Sequence, residues 1–282
     1  YVEKKGSAQI KSAAILAGLN AFGKTTILVE KESRDHTENL LRNLGAKITK
    51  KKIKKNYLIE VEGKQPLRPF KININGDPSS AAFFTALTIL GKRSTLKIVN
   101  LGLNPTRIGF YNLLKRHGAK IKMTNIKRKS HETYGDIIVK SGKIKPISCD
   151  SSYYSKTVDE YPILFVIAAL SNGLSKFKGI QGLANKESNR ILEMKKLLKK
   201  INIKTKIIKG GIKIHGLKKK FIPRKLIIVN PKLDHRICQS AAILALVSGA
   251  NIKIKNFETV NTSAPSFLKI IKQLGGKFEI KK

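Results

Sequence analysis

One pattern of residues recurs four times in this chain, and it constrains the fold more than any other feature. Each copy opens with a polar head on a helix of small apolar residues. A Gly-containing turn, a short strand, a loop, an amphipathic helix and a second strand follow. The first copy runs from Ser7 through Ala13-Ala14-Ile15-Leu16 and Gly23 to Leu44-Gly45-Ala46-Lys47-Ile48. The second runs from Asp77 through Ala81-Ala82-Phe83-Phe84 and Gly91 to His117-Gly118-Ala119-Lys120-Ile121. The third starts at Asp159 and passes Ala168-Ala169-Leu170 and Gly173 to Ile201-Asn202-Ile203. The fourth starts at Asp234 and passes Ala241-Ala242-Ile243-Leu244 and Gly249 to Leu274-Gly275-Gly276-Lys277-Phe278. A unit repeated in this way buries its apolar face against its copies. Repetition also gathers equivalent helix starts at one place, where open N–H groups and partial positive charge attract anions.

The alternation of helices with short strands predicts an α/β fold. In the first unit it predicts a helix over 7–19, a strand over 25–30, a loop over 31–35, a helix over 36–44 and strands over 46–53 and 57–61. A strand over 70–75 then leads to Gly76-Asp77-Pro78, where Pro after an Asp cap marks a strong helix start. That start divides the chain into a domain over 1–75 and a domain over 76–282. The second domain holds units over 77–139, 147–215 and 226–280. The first unit reads as lacking a leading strand and stands alone on its side. Repeats do not usually stop at one copy, so more chain is expected before Tyr1.

The 282 residues are 41% hydrophobic but contain no long uncharged apolar run, so no membrane span is expected. The apolar stretches over 81–90 and 163–170 read as buried helices. The only cysteines are Cys149 and Cys238, without a CxxC pair or a His/Cys cluster. No zinc or other metal is expected, and a reducing, cytoplasmic setting fits. The net charge of +39 points to anionic partners. Its lysines are spread over most elements, including 47–55, 195–206 and 218–220, and few aromatics stand among them. That favours solvated basic faces over a stacking surface for single strands. A basic nucleic-acid-binding module stands as an alternative reading.

Four polar clusters fall at helix starts or in strand-to-helix loops. Ser7-Ala8-Gln9 offers a hydroxyl, an amide and backbone N–H groups to a phosphate, or simply an N-cap. Ser33-Arg34-Asp35-His36-Thr37-Glu38 offers a guanidinium fork for a phosphate or carboxylate. Its plain structural alternative is a helix capped by Ser33 or Asp35, with Glu38 completing a capping box. Asp159-Glu160 is paired with Lys186-Glu187-Ser188-Asn189-Arg190. There the four-residue spacing puts Lys186 and Arg190 on one helical face, or supplies ordinary surface ion pairs. Asp234-His235-Arg236 opens the last helix, with Asp234 as cap and Arg236 projecting. Each cluster is weak alone. Their equivalent positions in a repeat predict convergence on one site.

In this order the clusters resemble the 5-enolpyruvylshikimate-3-phosphate synthase family, in its class II form. The matching strings are Ser7-Ala8-Gln9-x-Lys11-Ser12, Ser33-Arg34-Asp35-His36-Thr37-Glu38, Gly76-Asp77-Pro78-Ser79-Ser80-Ala81, Asn104-Pro105-Thr106-Arg107, Asp159-Glu160-Tyr161-Pro162, Lys186-Glu187-Ser188-Asn189-Arg190 and Asp234-His235-Arg236. The resemblance covers essentially the whole chain. It implies the enolpyruvyl transferase fold of repeated βαβαββ units in two domains. Residues 1–75 would be the last repeat of an otherwise missing domain, and 76–282 a nearly complete one with three repeats. Such a chain is expected to be inactive alone and monomeric when complete.

The family reaction moves the enolpyruvyl group of phosphoenolpyruvate to the 5-hydroxyl of shikimate 3-phosphate and releases phosphate, without cofactor. By resemblance, Ser7, Ala8, Gln9, Ser33, Arg34, Asp159 and Lys186 hold shikimate 3-phosphate. Gln9, Arg190 and Arg236 hold phosphoenolpyruvate. Asp159 is the implied base, and Glu187 the proton-transfer carboxylate. Asn189 departs from the family's usual Asp, with local hydrogen-bonding consequences. Asn261-Thr262-Ser263-Ala264-Pro265 lacks a Lys found in some members and has Ala264 where an aromatic is common, which bears on phosphoenolpyruvate affinity. The nearest rival is the related transferase acting on UDP-N-acetylglucosamine. Lys186–Arg190 and Asp234–Arg236 fit the shikimate enzyme better.

Overall fold

A computed structural model describes residues 1–217 and 225–281. The lysine run over 218–220 lies outside the described residues. The first unit comprises β1 (Val2–Glu3), α1 (Ala8–Asn20), β2 (Lys24–Val29), α2 (His36–Asn43), β3 (Ile48–Ile53) and β4 (Asn56–Glu62). The second comprises α3 (Pro78–Leu90), β5 (Thr95–Gly102), α4 (Gly109–Arg116), β6 (Lys120–Lys129) and β7 (Glu132–Lys140). The third comprises β8 (Ser148–Cys149), α5 (Tyr154–Thr157), α6 (Tyr161–Leu170), β9 (Gly173–Lys178), α7 (Arg190–Lys200), β10 (Lys204–Ile208) and β11 (Gly211–Gly216). The fourth comprises β12 (Ile227–Val229), α8 (His235–Ser248), β13 (Ile252–Ile254) and α9 (Phe267–Gln273).

The repeat is visible in the strand pairing. The first sheet has the order β1-β2-β4-β3 and the third unit's sheet the equivalent order β8-β9-β11-β10. In each, a short leading strand runs parallel to the strand after the core helix, and the closing hairpin is antiparallel. The first unit therefore has its leading strand, contrary to the expectation above: Val2 and Glu3 pair with Leu28 and Val29. Two residues carry too little alternation to be read as a strand. The second unit departs the other way. No strand forms over 70–75, and its leading strand is reduced to a parallel bridge between Gly76 and Leu101. In the fourth unit only β12 and β13 pair, and no strand forms over the expected closing segment at 274–278.

Helices α3, α6 and α8 pack pairwise. Their small and β-branched apolar residues allow close approach, and α6 is buried from Tyr161 through Ala169. Together with the flanking sheets they form the large hydrophobic core. A separate small cluster of Ile15, Ile27, Val29, Leu41, Ala46, Ile48, Ile59 and Val61 holds the first unit. At one equivalent place glycine is sterically required. A Cβ at Gly63, past β4, would lie 2.0 Å from the Ala21 carbonyl oxygen at the end of α1. At Gly216, ending β11, it would lie 1.6 Å from the Ser171 carbonyl oxygen at the end of α6.

Candidate functional site

The helix starts are built by short polar caps. Asp77 accepts from the N–H groups of Ser79 and Ser80, and Pro78 needs no partner for the N–H it lacks. Asp234 accepts from the Arg236 N–H, and Asn189 from the Leu192 N–H, so Asn189 serves as an ordinary cap of α7. Ser7 caps α1 through Ile10 N–H at 3.3 Å. The buried Glu3 carboxylate takes the N–H groups of Lys5, Gly6 and Ser7. The phosphate-gripping amides expected there are thus narrowed to those of Ala8 and Gln9.

Two local readings change. No capping box forms at α2: Asp35 occupies the cap position without a side-chain cap bond. Glu38 turns inward to the Lys11 ammonium at 2.6 Å, with both side chains buried. Lys186 and Arg190 do not share a helical face, because α7 begins at Arg190 and Lys186 has extended backbone (φ −95°, ψ −167°). The Asn189 cap sets that start, whereas the spacing argument assumed a helix through all five residues.

Four elements converge around Asp159, which lies in the turn before α6. The Arg34 guanidinium, in the loop before α2, donates to Asp159 Oδ2 at 2.5 Å. Arg190 Nη1 lies 3.5 Å from Asp159 Oδ1. The same Arg190 donates through Nε to Asp234 Oδ2 at 3.0 Å and through Nη2 to Glu187 Oε2 at 2.6 Å. Lys11 reaches across from α1 and donates to the Arg34 carbonyl at 2.7 Å, which fixes the Arg34 loop. Burial pushes the Asp159 carboxyl up, but Arg34, Arg236 and Arg190 outweigh it and hold it well below the ordinary range. Arg34 is itself raised: burial opposes its charge, and Asp159 overcomes that.

Arg236 is the open cation of the group. Its side chain is buried, its guanidinium stands 5.8 Å from the Phe83 ring centroid, and Nε and Nη1 have no hydrogen-bond partner. A buried guanidinium left this way is costly unless an anion completes it. Ser33 is also buried with an unpartnered hydroxyl. Lys186 and Gln9 are exposed, and Glu187 is half-exposed. Among the described residues, the side chains of Ser7, Gln9 and Lys186 form no hydrogen bond or ion pair with Arg34, Asp159 or Arg190.

The expectations gave Asp234 and Glu38 only capping roles, and named Lys11 and Ser188 only within motif strings. Lys11, Glu38, Ser188 and Asp234 hold the cations of the site in place. On α3, Ser79 lies between Arg107 Nη2 at 2.9 Å and the buried Glu160, and Arg107 also pairs with Asp77 at 2.7 Å. Two signals were available for Lys11: a lysine inside a small-residue helix, and its place in the Ser7-Ala8-Gln9-x-Lys11-Ser12 string.

The family model described as EPSP synthase (3-phosphoshikimate 1-carboxyvinyltransferase) matches residues 1–271. The chain belongs to the EPSP synthase family. It is 36% identical over 276 residues to the 3-phosphoshikimate 1-carboxyvinyltransferase of Zymomonas mobilis subsp. mobilis, covering 97% of this chain and 61% of that relative. It superposes on the EPSP synthase of Acinetobacter baumannii with a TM-score of 0.89 and 32% identity, covering 100% of this chain and 63% of that one. The enolpyruvyl transferase NikO from Streptomyces tendae, at 16% identity and a TM-score of 0.70 over 94% of this chain and 58% of its own, shares the fold. The chain spans about three fifths of the length of these relatives.

Membership of the EPSP synthase family accounts for the enolpyruvyl transferase fold expected from the motifs. Among the described residues no helix is long and apolar enough to cross a membrane, and no His, Cys, Asp and Glu cluster has the makings of a metal site.

Proposed function

We propose that the protein transfers the enolpyruvyl group of phosphoenolpyruvate to the 5-hydroxyl of shikimate 3-phosphate, releasing phosphate, in aromatic amino acid biosynthesis. The observation that carries this reading is the buried, incomplete Arg236 guanidinium beside the Arg34–Asp159–Arg190 cluster. Two multiply anionic substrates complete such a set of cations, and a water-poor cleft strengthens each contact. The names of the relatives favour shikimate 3-phosphate over UDP-N-acetylglucosamine as acceptor. The two separate hydrophobic clusters support a division into domains over 1–75 and 76–282, with the site at their seam. Two unpaired, buried cysteines suit a cytoplasmic setting.

In this reading the Ser7 hydroxyl, the Ala8 amide, Gln9, Ser33, Arg34 and Lys186 bind shikimate 3-phosphate. Gln9, Arg190 and Arg236 bind phosphoenolpyruvate. Asp159 orients the shikimate hydroxyls and takes the 5-hydroxyl proton. At rest it is a weak base, because three arginines stabilise its charge. Incoming phosphates share Arg34 and Arg190, loosen that grip, and raise its proton affinity as the hydroxyl arrives. Glu187, held by Arg190 Nη2 and open to the cleft mouth, moves the proton to and from the enolpyruvyl methylene.

The test is phosphate release by the full-length protein given both substrates. Turnover is expected, and Asp159→Asn and Glu187→Gln should each lower kcat by about 100-fold or more while the fold is kept. Turnover with UDP-N-acetylglucosamine instead of shikimate 3-phosphate overturns the reading.

A further inference from the structure

Among the described residues, Glu160 is the buried carboxylate beside the Asp159 cluster that no cation holds within ion-pairing distance. Asp159 has Arg34 and Arg190, Asp234 has Arg190, and Asp77 has Arg107. Glu160 is 2% exposed, and the side-chain group bonded to it is the Ser79 hydroxyl. That hydroxyl accepts from Arg107 Nη2, so its single proton is directed at Glu160. The groups facing Glu160 come from several elements. Asp159 stands on the same turn as Glu160, Tyr161 opens α6, and Arg34 lies in the loop before α2. Arg107 and Tyr111 belong to the α4 region, and Arg236 to α8. Burial, then the neighbouring Asp159 charge, push Glu160 up to about 7.

We propose that Glu160 is the proton-accepting counter-charge of the cleft: it takes one proton from solvent when anions occupy the site and returns it when they leave. The step adds a proton to one carboxylate oxygen and breaks no other bond in the protein. Its driving force is electrostatic. Anions seated on Arg34 and Arg236 draw on the positive charge that otherwise offsets Glu160, and they add negative charge in a low-dielectric pocket. The proposal rests on the transferase reading for the identity of the anions, and on the Glu160 geometry for the proton.

The experiment is a carboxyl carbon-13 NMR titration of the full-length protein labelled at glutamate, without and with saturating sulfate. Sulfate is an anion that does not titrate near neutrality. Glu160→Gln assigns the resonance; if that variant does not fold, Ser79→Ala must shift the same resonance. The midpoint is expected near pH 7 in the free protein, rising by about one pH unit with sulfate and again with the two substrates. A midpoint below about 5, or one that sulfate leaves in place, overturns the proposal. Phosphate release accompanied by an unmoved Glu160 refutes this inference alone. A sulfate-dependent shift without any phosphate release refutes the transferase reading and leaves the proton site standing.

Discussion

Replacing Asp234 by Ala tests whether the site is held by its buried ion pairs. Asp234 is fully buried and serves two structures at once. Its Oδ1 accepts from the Arg236 N–H at 2.9 Å, and its Oδ2 accepts from Ser188 Oγ at 2.8 Å and Arg190 Nε at 3.0 Å. Loss of the α8 cap costs about 1 kcal/mol. Breaking a buried ion pair costs about 3–5 kcal/mol, and the lower end applies because Arg190 keeps Glu187 and Asp159. The expected loss is about 4 kcal/mol, which lowers Tm by about 10 °C for a chain of this size. Asp234→Asn retains a capping oxygen and should lose less, about 3 kcal/mol. Urea and thermal unfolding of both variants measure this. A loss under about 1 kcal/mol in Asp234→Ala would refute the reasoning, since neither cap nor pair would then matter.

Lys11→Met strands the buried Glu38 and should cost about 3 kcal/mol; adding Glu38→Leu should recover most of the stability but not the affinity for shikimate 3-phosphate, because Arg34 stays unanchored. Stability curves and KM values for the single and double variants separate the two effects. Arg236→Ala should raise the KM for phosphoenolpyruvate far more than that for shikimate 3-phosphate, and an equal effect on both rejects the assignment of Arg236. The raised Glu160 carboxyl has a definite sign in stability against pH. Between about pH 4.5 and 7 the folded form holds a proton that the unfolded chain has released, so Glu160 lowers stability as pH rises through that window. Glu160→Gln should flatten that fall in urea titrations at several pH values, and an unchanged slope contradicts the assignment.

Much of this architecture was legible because repetition magnifies weak signals. Asp77-Pro78 and Asp234 each mark a helix start through local chemistry, and the caps form as that chemistry requires. The apolar runs that became α3 and α6 have no polar face, so burial was their only outcome. The missed pieces depend on tertiary context. Val2–Glu3 is too short for periodicity, and the segment over 70–75 alternates like a strand but finds only one bridge, at Gly76. Glu38 has capping-box spacing, yet a buried ammonium 2.6 Å away outcompetes a backbone N–H. The cations of the site, and Asp159 and Asp234, were readable as motif residues. The pairing of Asp234 with Arg190 and of Asp159 with Arg34 was not, because it joins residues 44 and 125 positions apart.

The most direct measurement is a crystal structure of the full-length protein with shikimate 3-phosphate and phosphoenolpyruvate. Phosphoenolpyruvate is expected on Arg190 and Arg236, filling the open Nε and Nη1 of Arg236, with the shikimate hydroxyls against Asp159. Both ligands seated elsewhere, with Arg236 still unpartnered, would contradict the account.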